Sequence, residues 1–260
     1  MSALVHSVEH GAVHELQLAR APVNALNPAL CGGLSTAIAA ALDAGAQGIV
    51  LSGGPKVFSA GLDVPHLLAL GDDRAALTAA WESFFDAARA LAQSPVPVVA
   101  AIAGHAPAGG CVLALCCDYR VMASGPDPAK PYRIGLNETQ VGLVAPEGIQ
   151  HLLRRVVGPY RAERLLVAGE LVEAERALAI GLIDELVEID HVATRARIWL
   201  EQLLALPRQP MLATRQIARA DLVAALQPER IQLPRFVDAW FTPDTQAGLR
   251  ALVTRLGKPG

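Results

Sequence analysis

The chain has 260 residues, 52 % of them apolar and only 18 % charged, with 22 basic against 25 acidic side chains and a net charge of −3. That composition excludes an intrinsically disordered chain, and the near-neutral balance without a basic run argues against a nucleic-acid partner. The length suits one large domain, or one domain with a small helical appendage, and the apolar excess points to surface buried in an oligomer.

In chain order, the first twenty residues alternate apolar and polar around Gly11 and predict a hairpin. Asn27-Pro28 supplies a helix cap and a first-turn proline, opening a helix through about Leu42. Gly48-Ile-Val-Leu-Ser52 reads as a short buried strand, followed by a glycine-rich loop over 53–63. A helix through Trp81 to Leu91 leads past Pro95 and Pro97 to a second apolar strand, Val98–Ile102. A tight connection from Gly104 to Gly110, an apolar helix through Leu115 and a strand over Asp118–Met122 follow. From Gly148 onward the signals are nearly all helical, with one brief strand near Ile183–Val187 and prolines 207, 210, 228 and 234 punctuating the last helices. Strand and helix alternating over short connections predicts an α/β layered domain.

The four cysteines, Cys31, Cys111, Cys116 and Cys117, have neither disulfide nor zinc spacing and read as reduced core residues. The first ten residues lack a basic region followed by an apolar core, and they are not rich in Arg and Ser. Apolar stretches are broken by Gly, Pro or charge well short of a membrane span. The expectation is a cytoplasmic protein with no membrane partner.

Three segments carry chemistry. Glu138 lies in Ile134-Gly-Leu-Asn-Glu-Thr-Gln-Val-Gly142, downstream of Phe58-Ser-Ala-Gly-Leu-Asp63 and Pro107-Ala-Gly-Gly-Cys111. Proton abstraction beside a carbonyl needs a carboxylate to move the proton and backbone N–H groups to stabilise the enolate oxygen. Glycines at a helix start leave unpaired N–H groups open to an anion. Taken singly, Gly109-Gly110 reads as tight helix–strand packing, Ala60-Gly61-Leu62 as an ordinary turn, and Glu138 as a surface or N-cap carboxylate.

Together the three segments resemble the crotonase (enoyl-CoA hydratase/isomerase) superfamily. The likeness runs from Ala21-Pro-Val-Asn-Ala-Leu-Asn27 through Ala162-Glu-Arg-Leu-Leu166 and Ala179-Ile-Gly-Leu-Ile-Asp184 to Phe241-Thr-Pro-Asp-Thr-Gln-Ala-Gly248. Within the superfamily, the run Pro107–Arg120 and the Gly-Leu-Asn-Glu-Thr-Gln segment are most similar to the mitochondrial-type Δ3,Δ2-enoyl-CoA isomerases. The resemblance implies an α/β, crotonase-like ββα spiral core over residues 1–198 and a C-terminal helical trimerisation region over 199–260. It further implies a homotrimer or dimer of trimers acting in fatty acid β-oxidation. Coenzyme A would be part of the acyl-CoA substrate, with no metal or other cofactor. By the same resemblance Glu138 is the base, and the Leu62 and Gly109 N–H groups form the oxyanion hole. Ala60, Gly61, Asp63, Val64, Gly110 and Asn137 are assigned to substrate binding, although Asn137 reads equally as a local backbone cap. The adenine and phosphates of CoA would lie near the segment from Arg20 to Ala25 and the 59–64 loop, with Lys258 in reach of a phosphate.

Position 112 bears on the reaction. Hydratases of this superfamily carry a second glutamate directly after Gly-Gly-Cys, where this chain has Val112. Adding water needs one group to activate it and another to protonate carbon, whereas one carboxylate suffices to shuttle a proton between two carbons. The expectation is therefore an isomerase. The rivals are a hydratase or thioesterase relying on Glu147, and a non-catalytic crotonase-fold interaction or RNA-binding protein. Glu147 reads equally as a solvated carboxylate at a helix start. Dienoyl-CoA isomerases of the superfamily use an acid eight places after the Glu138 equivalent; that place here is Pro146. His6, His10 and His14 lie in the predicted hairpin without an acidic ligand set, while His66 and His105 flank the site segments. The wall that decides acyl length is expected between Val64 and Phe85.

Overall fold

The computed structural model describes residues 3–127 and 129–257. Val5–His10 (β1) and Val13–Leu18 (β2) form the expected antiparallel hairpin, β1 being the exposed edge and β2 mostly buried. The Asn27 side-chain oxygen accepts from the Leu30 N–H at 3.0 Å and caps Pro28–Asp43 (α1). Gly48–Ser52 (β3) is buried at every position and runs parallel to β2. After Val64–Ala69 (α2) comes Arg74–Ala92 (α3), whose buried Leu77, Trp81, Phe84, Ala88 and Leu91 recur at helical spacing. Val98–Ile102 (β4), Ala106–Pro107 (β5), Gly109–Leu115 (α4), Tyr119–Ala123 (β6) and Arg133–Gly135 (β7) follow.

The C-terminal half runs Glu147–Val157 (α5), Pro159–Ala168 (α6), Val172–Glu173 (β8), Ala174–Ala179 (α7) and Glu185–Val187 (β9). It ends in the helices Val192–Leu204 (α8), Arg208–Ala218 (α9), Ala220–Ala225 (α10), Pro228–Ile231 (α11), Leu233–Trp240 (α12) and Pro243–Arg255 (α13). Among the described residues no helix is long and apolar enough to cross a membrane.

The main sheet has the order β1-β2-β3-β4-β6-β9 and is parallel beyond the hairpin. β3 and β4 are apolar without alternation because both faces of the sheet are covered. A smaller sheet, β5-β7-β8, stands beside the catalytic segments. Its two- and three-residue strands are too short to show a period, which is why sequence reading places only loop there, and it passes over α2 for the same reason. The expected boundary at 198/199 falls inside the continuous helix α8.

The C-terminal helices are clasped to the sheet through one carboxylate. Asp118 accepts two hydrogen bonds from Arg215, both at 2.8 Å, and one from Arg219 at 2.9 Å. Arg219 also donates to the Cys116 carbonyl at 2.6 Å. All four cysteines are buried and unpaired, and burial pushes the Cys31 and Cys116 thiols up to about 12.

Candidate active site

The loop after β3 is stitched to the segment before α1. Ser59 is fully buried; its hydroxyl donates to the Asn24 carbonyl at 2.8 Å and accepts from the Gly61 N–H at 3.2 Å. Leu26 N–H donates to the Gly61 carbonyl at 2.8 Å, and Asp63 N–H donates to the Leu26 carbonyl at 3.0 Å, bracketing Leu62. The Asp63 carboxylate caps α2 by accepting from His66 N–H at 3.1 Å, and its other oxygen lies 2.6 Å from Arg20. Arg20 in turn donates to the Ala25 carbonyl at 2.7 Å. Leu62 is therefore fixed on both sides, while its own N–H has no acceptor among the described residues.

The second donor comes from the start of α4. Ala108 adopts φ 46° and ψ −119°, a conformation that costs a non-glycine residue roughly 1–3 kcal/mol and persists only when its surroundings enforce it. Its N–H is held by the Gly135 carbonyl at 2.8 Å. This turn presents Gly109, whose N–H is one of the unpaired donors of a helix start. Glycine is required behind it: a β-carbon on Gly110 would stand 2.4 Å from the Ser59 carbonyl oxygen.

Leu62, Gly109, Asn137 and Glu138 line one cavity of about 480 Å³. Burial raises the Glu138 carboxyl from an ordinary 4.5 to about 7, opposed in part by a hydrogen bond from its own backbone. One Glu138 oxygen, Oε2, and the Asn137 Oδ1 are buried with no hydrogen-bond partner among the described residues. Leaving such groups unpaired costs about 1–3 kcal/mol each, which a site built for a ligand explains. Asn137 makes no side-chain cap to the 3-10 turn at Glu138–Val141, so the local-cap reading does not describe it. Burial, followed by the nearby Glu138 carboxylate, raises the Cys111 thiol, which makes it a poor nucleophile.

Of the other expected site residues, Ala60, Asp63 and Val64 line the cavity, while Gly61 and Gly110 lie behind the wall as backbone contacts. Val112 and Pro146 line it as well, but Glu147 does not; it is half-exposed and pairs with Arg230 at 2.6 Å. Neither His66 nor His105 lines the cavity, and the His105 Nδ1 accepts from Arg133 N–H at 3.1 Å. Among the described residues no group of three or more His, Cys, Asp or Glu side chains could hold a metal ion. Lys258 lies outside the described residues.

Trp81 and Phe84 furnish part of the wall, within the stretch the sequence singles out. Phe236, Leu252 and Leu256, from the C-terminal helices, furnish another part that sequence reading misses. Leu233, Phe236, Val237 and Trp240 recur at helical spacing on α12. That pattern announces a buried face without saying what covers it.

The family profile described as "Enoyl-CoA hydratase/isomerase" matches residues 9–255. Mitochondrial enoyl-CoA delta isomerase 1 of Mus musculus is 38 % identical over 178 residues, 68 % of this chain and 60 % of the mouse protein. The Homo sapiens protein of the same name is 34 % identical over 81 % of this chain and 68 % of its own length. A probable enoyl-CoA hydratase, echA17 of Mycolicibacterium paratuberculosis, is 35 % identical over 84 % of this chain and 85 % of its own. The crystal structure of human mitochondrial delta3-delta2-enoyl-CoA isomerase superposes with a TM-score of 0.90 over 98 % of both chains at 31 % identity. A fold matched along its whole length, a family profile spanning nearly every residue and relatives above 30 % identity lead to one conclusion: the chain belongs to the crotonase, or enoyl-CoA hydratase/isomerase, family.

Proposed function

We propose that the protein is a Δ3,Δ2-enoyl-CoA isomerase working through a single base. The observation that carries this reading is Glu138: among the described residues it is the one cavity-lining carboxylate not committed to a partner, and the same wall has Val112 in place of a second acid. Asp63, the other carboxylate of the wall, is tied to Arg20 and the start of α2. Glu138 takes a proton from C2 of a 3-enoyl-CoA, breaking the C–H bond and leaving a dienolate. The thioester oxygen then carries the charge, held by the Leu62 and Gly109 N–H groups. Removing one such donor costs about 10²–10³ in rate elsewhere, or ~2.7–4 kcal/mol. The same carboxyl returns its proton to C4, giving the conjugated 2-trans-enoyl-CoA. A base poised near neutrality both accepts and gives back a proton readily. Coenzyme A comes and goes with the substrate, and the proton shuttle calls on no other cofactor.

Hydration is the second reading, favoured by the relatives named as probable hydratases. It requires a second acid–base group, and the candidate the sequence offers, Glu147, pairs with Arg230 and does not line the Glu138 cavity. For the assembly we infer a homotrimer or dimer of trimers, a reading supported by apolar side chains left at the surface, such as Tyr160, Val167 and Ile217.

The test is conversion of trans-3-hexenoyl-CoA to the 2-trans product, followed by ultraviolet absorbance, with hydration of 2-enoyl-CoA run in parallel. Isomerisation that collapses by ~10² or more in Glu138→Gln supports the single-base reading. Hydration without isomerisation in the wild type would move the activity to the second reading.

A further inference from the structure

The cavity that holds Glu138 shares two wall residues with a neighbouring cavity. Pro146 and Phe236 line both this cavity and a second one of about 320 Å³, whose other walls include Gln150, Arg230, Gln232 and Arg235. Phe236 is 6 % exposed, and its ring meets Trp81 edge-on with centroids 4.2 Å apart. Trp81 is packed in turn against Phe84, Phe85 and Trp240. An aromatic cluster filled to this density does not part for a flexible tail. Pro146, its φ held at −52° by the ring, cannot swing aside either. The two sides also differ in chemistry. The Glu138 cavity has Val64, Phe84, Ile149 and Leu252 in its wall, whereas the second sets Glu147, Gln150, Arg230, Gln232 and Arg235 among its apolar residues, charged and amide groups that a methyl terminus would strip of water.

We infer that Phe236, backed by Pro146, is the stop that sets the acyl length this site accepts, limiting it to short and medium chains. The inference rests on the acyl-CoA reading above and deepens it. The cavity also takes in Pro22, Val23 and Ala25, beside which the CoA is expected, so the acyl tail has only part of its roughly 480 Å³. A tail space bounded by Phe236 and Pro146 places the break in affinity between octanoyl and hexadecanoyl. Removing the Phe236 ring joins the two cavities and opens a path for a longer chain.

Binding of saturated butanoyl-, octanoyl- and hexadecanoyl-CoA, measured by titration calorimetry, tests this without calling on proton transfer. In the wild type, affinity rises from butanoyl to octanoyl by up to about fourfold per methylene, the equivalent of about 0.8 kcal/mol. It then stops rising, so that hexadecanoyl binds no tighter than octanoyl. In Phe236→Ala, hexadecanoyl gains at least tenfold over octanoyl while butanoyl affinity stays within twofold of wild type. Phe236→Leu, which preserves much of the packing, gives an intermediate shift and decides the matter if the alanine variant does not fold by circular dichroism. A wild type whose affinity keeps climbing to hexadecanoyl overturns the stop, as does a folded variant with the break unmoved. Binding that follows this pattern in a protein without isomerase activity removes only the isomerase reading. No binding at any length overturns the acyl-CoA reading and the stop together.

Discussion

Gly61 and Gly109 meet backbone to backbone. A β-carbon on Gly61 would stand 3.0 Å from the Gly109 nitrogen, and one on Gly109 would stand 3.2 Å from the Gly61 α-carbon. Gly61 also holds φ at +82°, which disfavours any other residue. Gly61→Ala is therefore strained twice over, and relief pushes the Gly109 amide out of line. The expected result is a fall in kcat of about 10²–10³, the scale of losing one oxyanion donor, with KM changed far less. Steady-state kinetics on a 3-enoyl-CoA checks this.

The Glu138 carboxyl, raised by burial to about 7, must be ionised to take a proton. Below that value the base is protonated and kcat/KM falls tenfold per pH unit; above it the profile levels off. A pH–rate profile with its acid limb near an ordinary glutamate value would show that the cavity hydrates Glu138 in solution.

The same shift makes Glu138 a liability for stability. Its folded-state value exceeds its unfolded one, so the native state binds the extra proton and loses stability as pH rises from 4.5 through about 7. The full cost, on the order of 3 kcal/mol, is present above that window and absent below it. Glu138→Gln should accordingly be more stable than wild type at pH 8, with the gap closing towards pH 4. Urea denaturation at the two pH values measures it.

Arg20 separates two roles for the same side chain. Its guanidinium is engaged by Asp63 at 2.6 Å and the Ala25 carbonyl at 2.7 Å, which makes it a positioning residue for Leu62. Arg20→Ala leaves the Asp63 carboxylate without its cation and costs about 1–3 kcal/mol of stability. The rate consequence appears in kcat, because the Leu62 amide shifts. Arg20→Lys restores only part of it, since one ammonium does not reproduce the fork that spans two acceptors. If the change fell on KM instead, Arg20 would be holding a CoA phosphate.

Glu147 discriminates between isomerisation and hydration. Paired with Arg230 and half-exposed, it lies outside the cavity wall, so Glu147→Gln should leave isomerase turnover within about twofold. A loss of ~10² or more would bring it into the chemistry.

What the sequence discloses follows the range of the interactions involved. The hairpin, the Asn27 cap and strands β3 and β4 rest on neighbours a few residues apart, and each forms where periodicity and capping place it. The three segments around Leu62, Gly109 and Glu138 are legible as motifs, and the fold brings these residues to one cavity. Contacts between distant positions were hidden. Asp63 is tied to a residue 43 positions away, and Arg219 reaches Asp118 across 101. The Trp81–Phe236 contact, in the wall of the Glu138 cavity, joins α3 to α12. No local pattern encodes such pairs, because each partner alone is an ordinary helical apolar or charged side chain.

The C-terminal walls of the cavity also order events during synthesis. Residues 58–63 and 107–110 leave the ribosome early and can pack on the sheet as soon as β4 and β6 have formed. Phe236, Leu252 and Leu256 are made after those segments and after Glu138, so the pocket around Glu138 lacks this wall until they are in place. A nascent chain that has not yet reached Phe236 thus carries Glu138 and the Leu62 and Gly109 amides without the wall that encloses them, and enclosure of the pocket comes later in synthesis than its polar groups.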